Sequence, residues 1–453
     1  MNDLSLFLPC AAGVESFLAA EVRRITGSDA VEPSRAGVAV RASWRDALKL
    51  NLHSRLAQRV LVQLWRGPYR SEADLYDAAK EVAWEIWFTP AQTIKVEVTA
   101  QHSPLKSLNF AALKIKDAVC DRFRERRGER PSVNTNWPDV RIYAHLTADT
   151  LSLSMDTSGE PLFKRGWRED KGDAPLKETL AAAMIAATGW DAAADMTLDD
   201  IPPLYDPCCG SGTVVIEAAQ IALRVAPGLH RRFAFEKLLP FQPHVWQALR
   251  KEAEQQRREW PAGHRPIVFG SDVAFRMVDF AQRNAGRAGV AHALELRGGD
   301  ALQRMPPGDR PGVMLLNPPY GERIAAAGVA GRNARERAAE RAGPRAPRTF
   351  TVGASAPAPA ERVGRESAQM SDGSADAEGS DFFARLATHW KSHYAGWTAW
   401  LLTPDLRLPG KMRFKESRRV PMWNGPIECR LFRFDLMARR APAADAAAEG
   451  GQA

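Results

Sequence analysis

Two stretches hold the residues best suited to chemistry: Leu204–Thr213 (LYDPCCGSGT) and Leu315–Arg323 (LLNPPYGER). In the first, a short apolar run ends in Asp206 and a glycine turn, then passes into the helical pattern Val214–Leu223. A strand-turn-helix of this kind lets backbone approach a nucleotide-like ligand, because glycine has no Cβ to intrude. In the second, a buried-strand pattern ends in Asn317, Pro318, Pro319 and Tyr320. That corner sets an amide, a rigid carbonyl and an aromatic ring side by side. The Asn317 oxygen and the Pro318 carbonyl can accept both N–H bonds of an amine. Tyr320 can stack on a base turned out of its helix, a contact worth about 1–3 kcal/mol per base.

The first stretch is not a dinucleotide fingerprint. The third glycine position holds Val215, and the next strand-end acid, Asp272, lies far beyond an inserted segment. Taken alone, a GxG needs no ligand and is an ordinary turn.

Together the stretches resemble motifs I and IV of class I S-adenosylmethionine-dependent methyltransferases acting on amino nitrogens. The resemblance implies S-adenosylmethionine as cofactor, with Asp206, Cys208, Gly210, Ser211, Gly212, Thr213 and Asn317 around it. Asp206 would orient the ammonium directly or through water. Asp272, ending the strand pattern Pro266–Asp272, fits the acid that receives the ribose hydroxyls, or a helix cap before Ala274, or both. Asp300, after two glycines, fits the acid that takes the adenine amino group, or a plain turn aspartate. Asn317, Pro318, Pro319 and Tyr320 would carry catalysis by holding a poorly nucleophilic exocyclic amine toward the methyl group. Positioning of that kind supplies roughly 7–11 kcal/mol in well-aligned systems. NPPY also occurs in enzymes acting on DNA adenine or on a protein glutamine. NPPYGER is similar to the guanine-N2 RNA methyltransferases, where Glu322 and Arg323 would meet the base or a phosphate, or form a surface pair.

The elements that must position these residues follow. The patterns predict a strand at Leu4–Leu8, a helix at Gly13–Ile25, a strand at Val38–Arg41, a helix at Trp44–Leu52 and a strand at Arg59–Trp65. Ser71 caps a helix running to about Trp87, and Thr93–Ala100 alternates as a half-buried strand. A long basic helix at Phe110–Arg127 and a hairpin at Arg141–Leu146 and Thr150–Met155 follow. Over residues 55–157 this order, with FAALKIKDAVCDRFRER, resembles a THUMP RNA-binding domain, and residues 1–54 resemble its ferredoxin-like companion. The linker and helix at 158–190 contain RGWRED and APLKE, similar to a passage of THUMP-containing methyltransferases, with Trp167 where tyrosine is common. The resemblance implies an α/β, Rossmann-like class I methyltransferase domain at 191–437, doubly wound, with about seven strands and an antiparallel last strand at Glu428–Leu436. An α+β ferredoxin-like/THUMP module precedes it. Residues 331–380, poor in large apolar side chains, are expected to be a disordered insertion, and 438–453 a disordered tail. Asn424–Gly425 marks a hairpin turn.

Composition bounds the partners. A net charge of +8 and a pI near 9.3 favour a polyanion. One basic cluster includes Lys106, Lys114, Lys116, Arg122 and Arg126; a second includes Lys411, Arg413 and Lys415. These, with Arg323, are the candidate RNA contacts. The five cysteines form no CxxC pair and histidines do not cluster, which speaks for reduced thiols and no metal. No apolar run approaches the length of a membrane span, and the start has no basic lead, so the expected setting is cytoplasmic. The resemblance implies N2-methylation of a guanine in 23S rRNA, with tRNA as the alternative RNA. A second methyltransferase domain has no room, and a monomer is assumed. DNA-adenine or protein-glutamine methylation, and a non-catalytic RNA-binding scaffold, are the more distant readings.

Overall fold

The computed structural model describes residues 3–172, 175–318 and 374–437, with the backbone alone for 374–381. Two seven-stranded sheets organise them. The first contains β1 (Leu4–Pro9), β2 (Val31–Ser34), β3 (Gly37–Ala42), β4 (Leu61–Pro68), β5 (Ile94–Ala100), β6 (Val140–Leu146) and β7 (Thr150–Asp156), in the order β2-β3-β1-β4-β7-β6-β5. β4 is the joint between the two modules, since it pairs antiparallel with β1 on one side and β7 on the other. Helices α1 (Glu15–Thr26), α2 (Trp44–His53), α3 (Glu72–Glu81) and α4 (Leu108–Arg127) connect these strands. Reciprocal capping boxes at Ser43–Asp46 and Ser71–Asp74 start α2 and α3 by satisfying backbone N–H groups.

Three expectations are corrected. The helix from Ser71 stops at Glu81, and the chain turns through a short 3-10 segment, Trp84–Ile86, that buries Trp84 and Trp87. β2 did not stand out in the sequence: it is a four-residue edge strand carrying Pro33, which a sheet tolerates only at its rim. A helix spans Ser374–His393, so its first turns lie inside the stretch read as a disordered insertion. The rest of that insertion and the C-terminal tail lie outside the described residues.

The second sheet contains β8 (Leu204–Asp206), β9 (Val268–Asp272), β10 (Leu294–Gly298), β11 (Val313–Leu316), β12 (Thr398–Thr403), β13 (Arg418–Asn424) and β14 (Ile427–Asp435). Its order is β10-β9-β8-β11-β12-β14-β13. β8 to β12 are parallel, and β14 enters antiparallel between β12 and β13 after the Asn424–Gly425 turn. Parallel strands covered on both faces should be apolar throughout, and β11 is, while β8 is buried along its length and ends in Asp206. Helices α5 (Glu178–Thr188), α6 (Thr213–Ala222), α7 (Pro243–Gln255) and α8 (Phe275–Arg287) flank this sheet. One continuous apolar core runs from α1 and β1 through α5 and α6 into β9. A second, built on Met314, Leu316, Trp390 and Tyr394, seats the helix Ser374–His393 on the sheet.

Candidate active site

The order of the second sheet reverses direction between β8 and β11, and a crevice at the carboxyl ends of strands is the expected ligand position there. Register sets Asp206 opposite Gly270 on β9, Asp272 opposite Gly298 on β10, and Tyr205 opposite Met314 on β11. Asp206, Asp272, the Gly298–Asp300 turn and Asn317 therefore all emerge along one edge. Asp206 is 2% exposed and accepts the Cys208 N–H at 2.9 Å. Asp272 accepts the Gly210 N–H through Oδ2 and the Ala274 N–H through Oδ1, both at 2.9 Å. It thus braces the glycine loop and the turn that leads into α8 at once. Asp300 accepts the Leu302 N–H at 2.9 Å.

Among the described residues no lysine or arginine pairs with Asp206, Asp272 or Asp300. Burial pushes the Asp206 carboxyl up to about 8, and the negative charge of Asp272 adds to the rise. Burial also raises Asp272, against the pull of its two backbone donors. The Cys208 thiol is driven well above its ordinary range by burial and by the charges of Asp206, Asp272 and Asp300. A wall of carboxylates with no cation of its own is suited to a positively charged ligand. The Cys208 and Cys209 thiols stay protonated and are packing groups.

The two loop glycines have different jobs. Gly212, at φ 90°, lies where a Cβ would come within 2.9 Å of the Ala281 Cβ, so α8 closes against it. Gly210, at φ 53°, has open space where a Cβ would stand. The open side belongs to the ligand edge. Ser211 and Thr213 are buried, and their hydroxyls accept from Arg168 at 3.3 and 2.7 Å. Asn317 directly follows β11 and Pro318 is buried, while Pro319, Tyr320, Glu322 and Arg323 lie outside the described residues.

The candidate RNA contacts divide. Lys106, Arg126, Arg413 and Lys415 are exposed, and Lys114 lies over the Phe110 ring at 5.4 Å. Lys116 pairs with Asp117, and Lys411 with Asp405 at 2.8 Å. Arg122 grips Glu85 through two bonds of 2.8 and 2.7 Å and donates to the Lys80 carbonyl, which removes it from the solvated face. Among the described residues no cluster of His, Cys, Asp or Glu could hold a metal, and no helix is long and apolar enough to cross a membrane.

Several residues that hold the site were invisible to motif reading. Glu217, fully buried on α6, accepts from Arg165 Nε at 3.1 Å and Arg55 Nη1 at 3.3 Å. This ion triad clamps the glycine-loop helix to both segments that flank the THUMP-like module. Asn284 on α8 donates to the carbonyls of Asp170 and Ser211 at 2.8 and 3.0 Å. The phrase RGWRED was a signal for the first residue set; nothing flagged Asn284.

Family models match in chain order: the RlmL ferredoxin-like domain over residues 5–61, the THUMP domain over 69–156, and the RMKL-like methyltransferase domain over 165–338. Ribosomal RNA large subunit methyltransferase K/L of Shewanella pealeana is 32% identical over 427 residues, 94% of this chain and 52% of that protein. The protein of the same name from Syntrophotalea carbinolica is 34% identical over 448 residues, 98% of this chain and 55% of its own. The chain spans about half the length of the curated relatives it matches. The solved structure of SMU.472, complexed with SAH, superposes with a TM-score of 0.76 at 24% identity, over 98% of this chain and 100% of that one. Sheet order, strand-end carboxylates and the three ordered matches agree, and the chain is similar, domain by domain, to THUMP-containing proteins with an RMKL-like methyltransferase domain.

Proposed function

We propose that this chain is an enzyme that transfers a methyl group from S-adenosylmethionine to the exocyclic N2 amine of a guanine in structured RNA, with 23S rRNA as the substrate. The observation that carries the reading is the edge of unpaired carboxylates, Asp206, Asp272 and Asp300, around a glycine loop whose Gly210 faces open space. These residues fit a ligand with a cationic amino acid end, a ribose diol and an adenine amino group. When bound, S-adenosylmethionine supplies an electrophilic methyl on a sulfonium. Asp206 holds the ammonium end, Asp272 accepts from the ribose hydroxyls with the lone pairs its two backbone donors leave, and Asp300 accepts from the adenine amine. Asn317 and the Pro318 carbonyl accept the N–H bonds of the guanine amine and aim its lone pair. The proton that nitrogen must lose passes to solvent, so no buried base is required. The THUMP domain and the exposed cations Lys106, Arg126, Arg413 and Lys415 support an RNA partner, and the cytoplasm as the place of work. The choice of rRNA is supported by the names of the relatives, ribosomal RNA large subunit methyltransferases K/L.

The test is transfer of labelled methyl to RNA from a strain lacking the gene, with large rRNA and tRNA assayed separately and digested to nucleosides. N2-methylguanosine in the large rRNA is expected. The same nucleoside in tRNA alone would overturn the substrate, and methyladenine or no RNA product would overturn the reaction.

A further inference from the structure

The passage Arg165–Asp170 (RGWRED) leaves the THUMP-like module and packs against the glycine loop and α8. Arg168 is the residue that touches the loop. Its Nε donates to Glu178 Oε1 at 2.7 Å, and one Nη2 donates to Thr213 Oγ1 at 2.7 Å and to the Leu176 carbonyl at 3.1 Å. The other, Nη1, donates to Ser211 Oγ at 3.3 Å. The guanidinium packs over the Trp167 ring at 5.2 Å, and Trp167 is itself buried. Two residues on, Asp170 takes Arg283 at 2.8 Å and Arg287 at 2.6 Å, which holds its carboxyl far below the usual range. Asn284 joins the Asp170 and Ser211 carbonyls, so the linker and the loop share a second tie.

A cation beside Thr213 stands at the N-terminal end of α6, where the helix dipole disfavours positive charge. Helix stability therefore gives no reason for an arginine there. Its planar fork does: it spans a carboxylate on α5 and two hydroxyls on the loop at once, which a single ammonium cannot. Glu178, 3% exposed, balances the charge and fixes the fork's angle.

We propose that Arg168 is a positioning residue, which holds the Ser211–Thr213 turn in its ligand-accepting shape from the linker side. The inference rests on reading that turn as the S-adenosylmethionine loop. Among the described residues the contacts of Arg168 are to the linker, α5 and the loop, so it acts through the loop. Because the linker is the covalent path from the RNA-gripping module, it also ties the shape of the loop to how that module is seated.

The experiment measures S-adenosylhomocysteine binding by calorimetry to the full chain and to Arg168→Met, Arg168→Lys, Thr213→Val and Arg168→Met/Thr213→Val. KM for S-adenosylmethionine, kcat and KM for RNA are measured beside it. Arg168→Met is expected to weaken binding roughly tenfold, raising KM for the methyl donor and leaving KM for RNA unchanged. Arg168→Lys is expected to restore little, and the double variant to bind no worse than Arg168→Met alone. Full rescue by lysine, additive losses in the double variant, or unchanged affinity in Arg168→Met would each overturn the role. Should Arg168→Met fail to fold, its melting curve will show it, and Arg168→Lys with Thr213→Val still decides: wild-type affinity in both overturns the proposal. If the wild-type chain itself binds no S-adenosylhomocysteine, the function proposed above fails instead.

Discussion

The carboxylate of Asp272 accepts the backbone N–H of Gly210 at 2.9 Å, so the end of β9 holds the loop that follows β8. The same side chain accepts from Ala274, which leaves a fixed pair of lone pairs facing outward. Asp272→Ala should loosen the loop and remove an acceptor together. Hydrogen bonds to charged groups are worth about 1.5–3 kcal/mol, so a loss of roughly 10- to 150-fold in S-adenosylhomocysteine affinity is expected. Asp272→Asn, which keeps one acceptor oxygen, should fall between. Calorimetric titration checks both.

Asp206 predicts a pH dependence of binding. With its carboxyl pushed up to about 8, most molecules carry a proton there at neutral pH. A cationic ligand selects the carboxylate, so binding below about pH 8 should release a proton, and affinity should rise with pH until it levels there. Titrations in two buffers of different ionisation heat read the proton directly; equal enthalpies would contradict the prediction. In the ligand-free chain the sign is opposite. An unfolded aspartate titrates near 3.8 and this one near 8, so the folded state holds the extra proton between those values. Stability from this group is present at low pH and is lost as pH rises through that window. Asp206→Asn should flatten both profiles.

Gly210 and Gly212 should fail in different ways. Alanine at 212 meets Ala281 and keeps a left-handed backbone, at about 1–2 kcal/mol for the conformation and a further cost for the overlap. A lowered melting temperature is expected. Alanine at 210 bears the conformational cost alone, but its methyl enters the open side. Near-normal folding with lost cofactor binding would be the signature, read from melting curves and titrations on the same samples.

Glu217 neutralises two guanidiniums in a dry interior, and its removal strands both. Glu217→Ala should cost about 3–5 kcal/mol of stability, measured by urea unfolding, with coupled loss of cofactor affinity because α6 carries the loop.

Asn317→Ala should lower kcat by roughly 10²–10³ if the amide aims the amine, with RNA affinity in gel-shift titrations unchanged. An unaltered kcat would contradict that role of Asn317, and an unchanged biological effect of the variant would favour a scaffold over an enzyme.

How much of this was legible follows from what each signal depends on. The DPCCGSG turn, the FGSD strand end and the Asn-Gly hairpin are local: geometry there demands particular residues, so the sequence shows them. The antiparallel last strand came through the family resemblance and not through periodicity, and its place between β12 and β13 is seen only in the structure. Glu217 looked like any helix glutamate, because its partners Arg165 and Arg55 come from other elements. Arg122 looked like surface charge until the 3-10 turn at Trp84–Ile86 brought Glu85 beneath it. Nothing in the chain's order revealed that Arg168 donates to the Ser211 and Thr213 hydroxyls.

β4 belongs to both N-terminal modules at once, hydrogen-bonded to β1 and to β7. Two domains joined by a hinge sample many separations, whereas two halves of one sheet have a single length. The N-terminal third of this chain is therefore a ruler. Wherever its far edge docks, the span to the glycine loop is set by strand geometry, and on the proposed RNA substrate a target lying nearer or farther would fall out of reach.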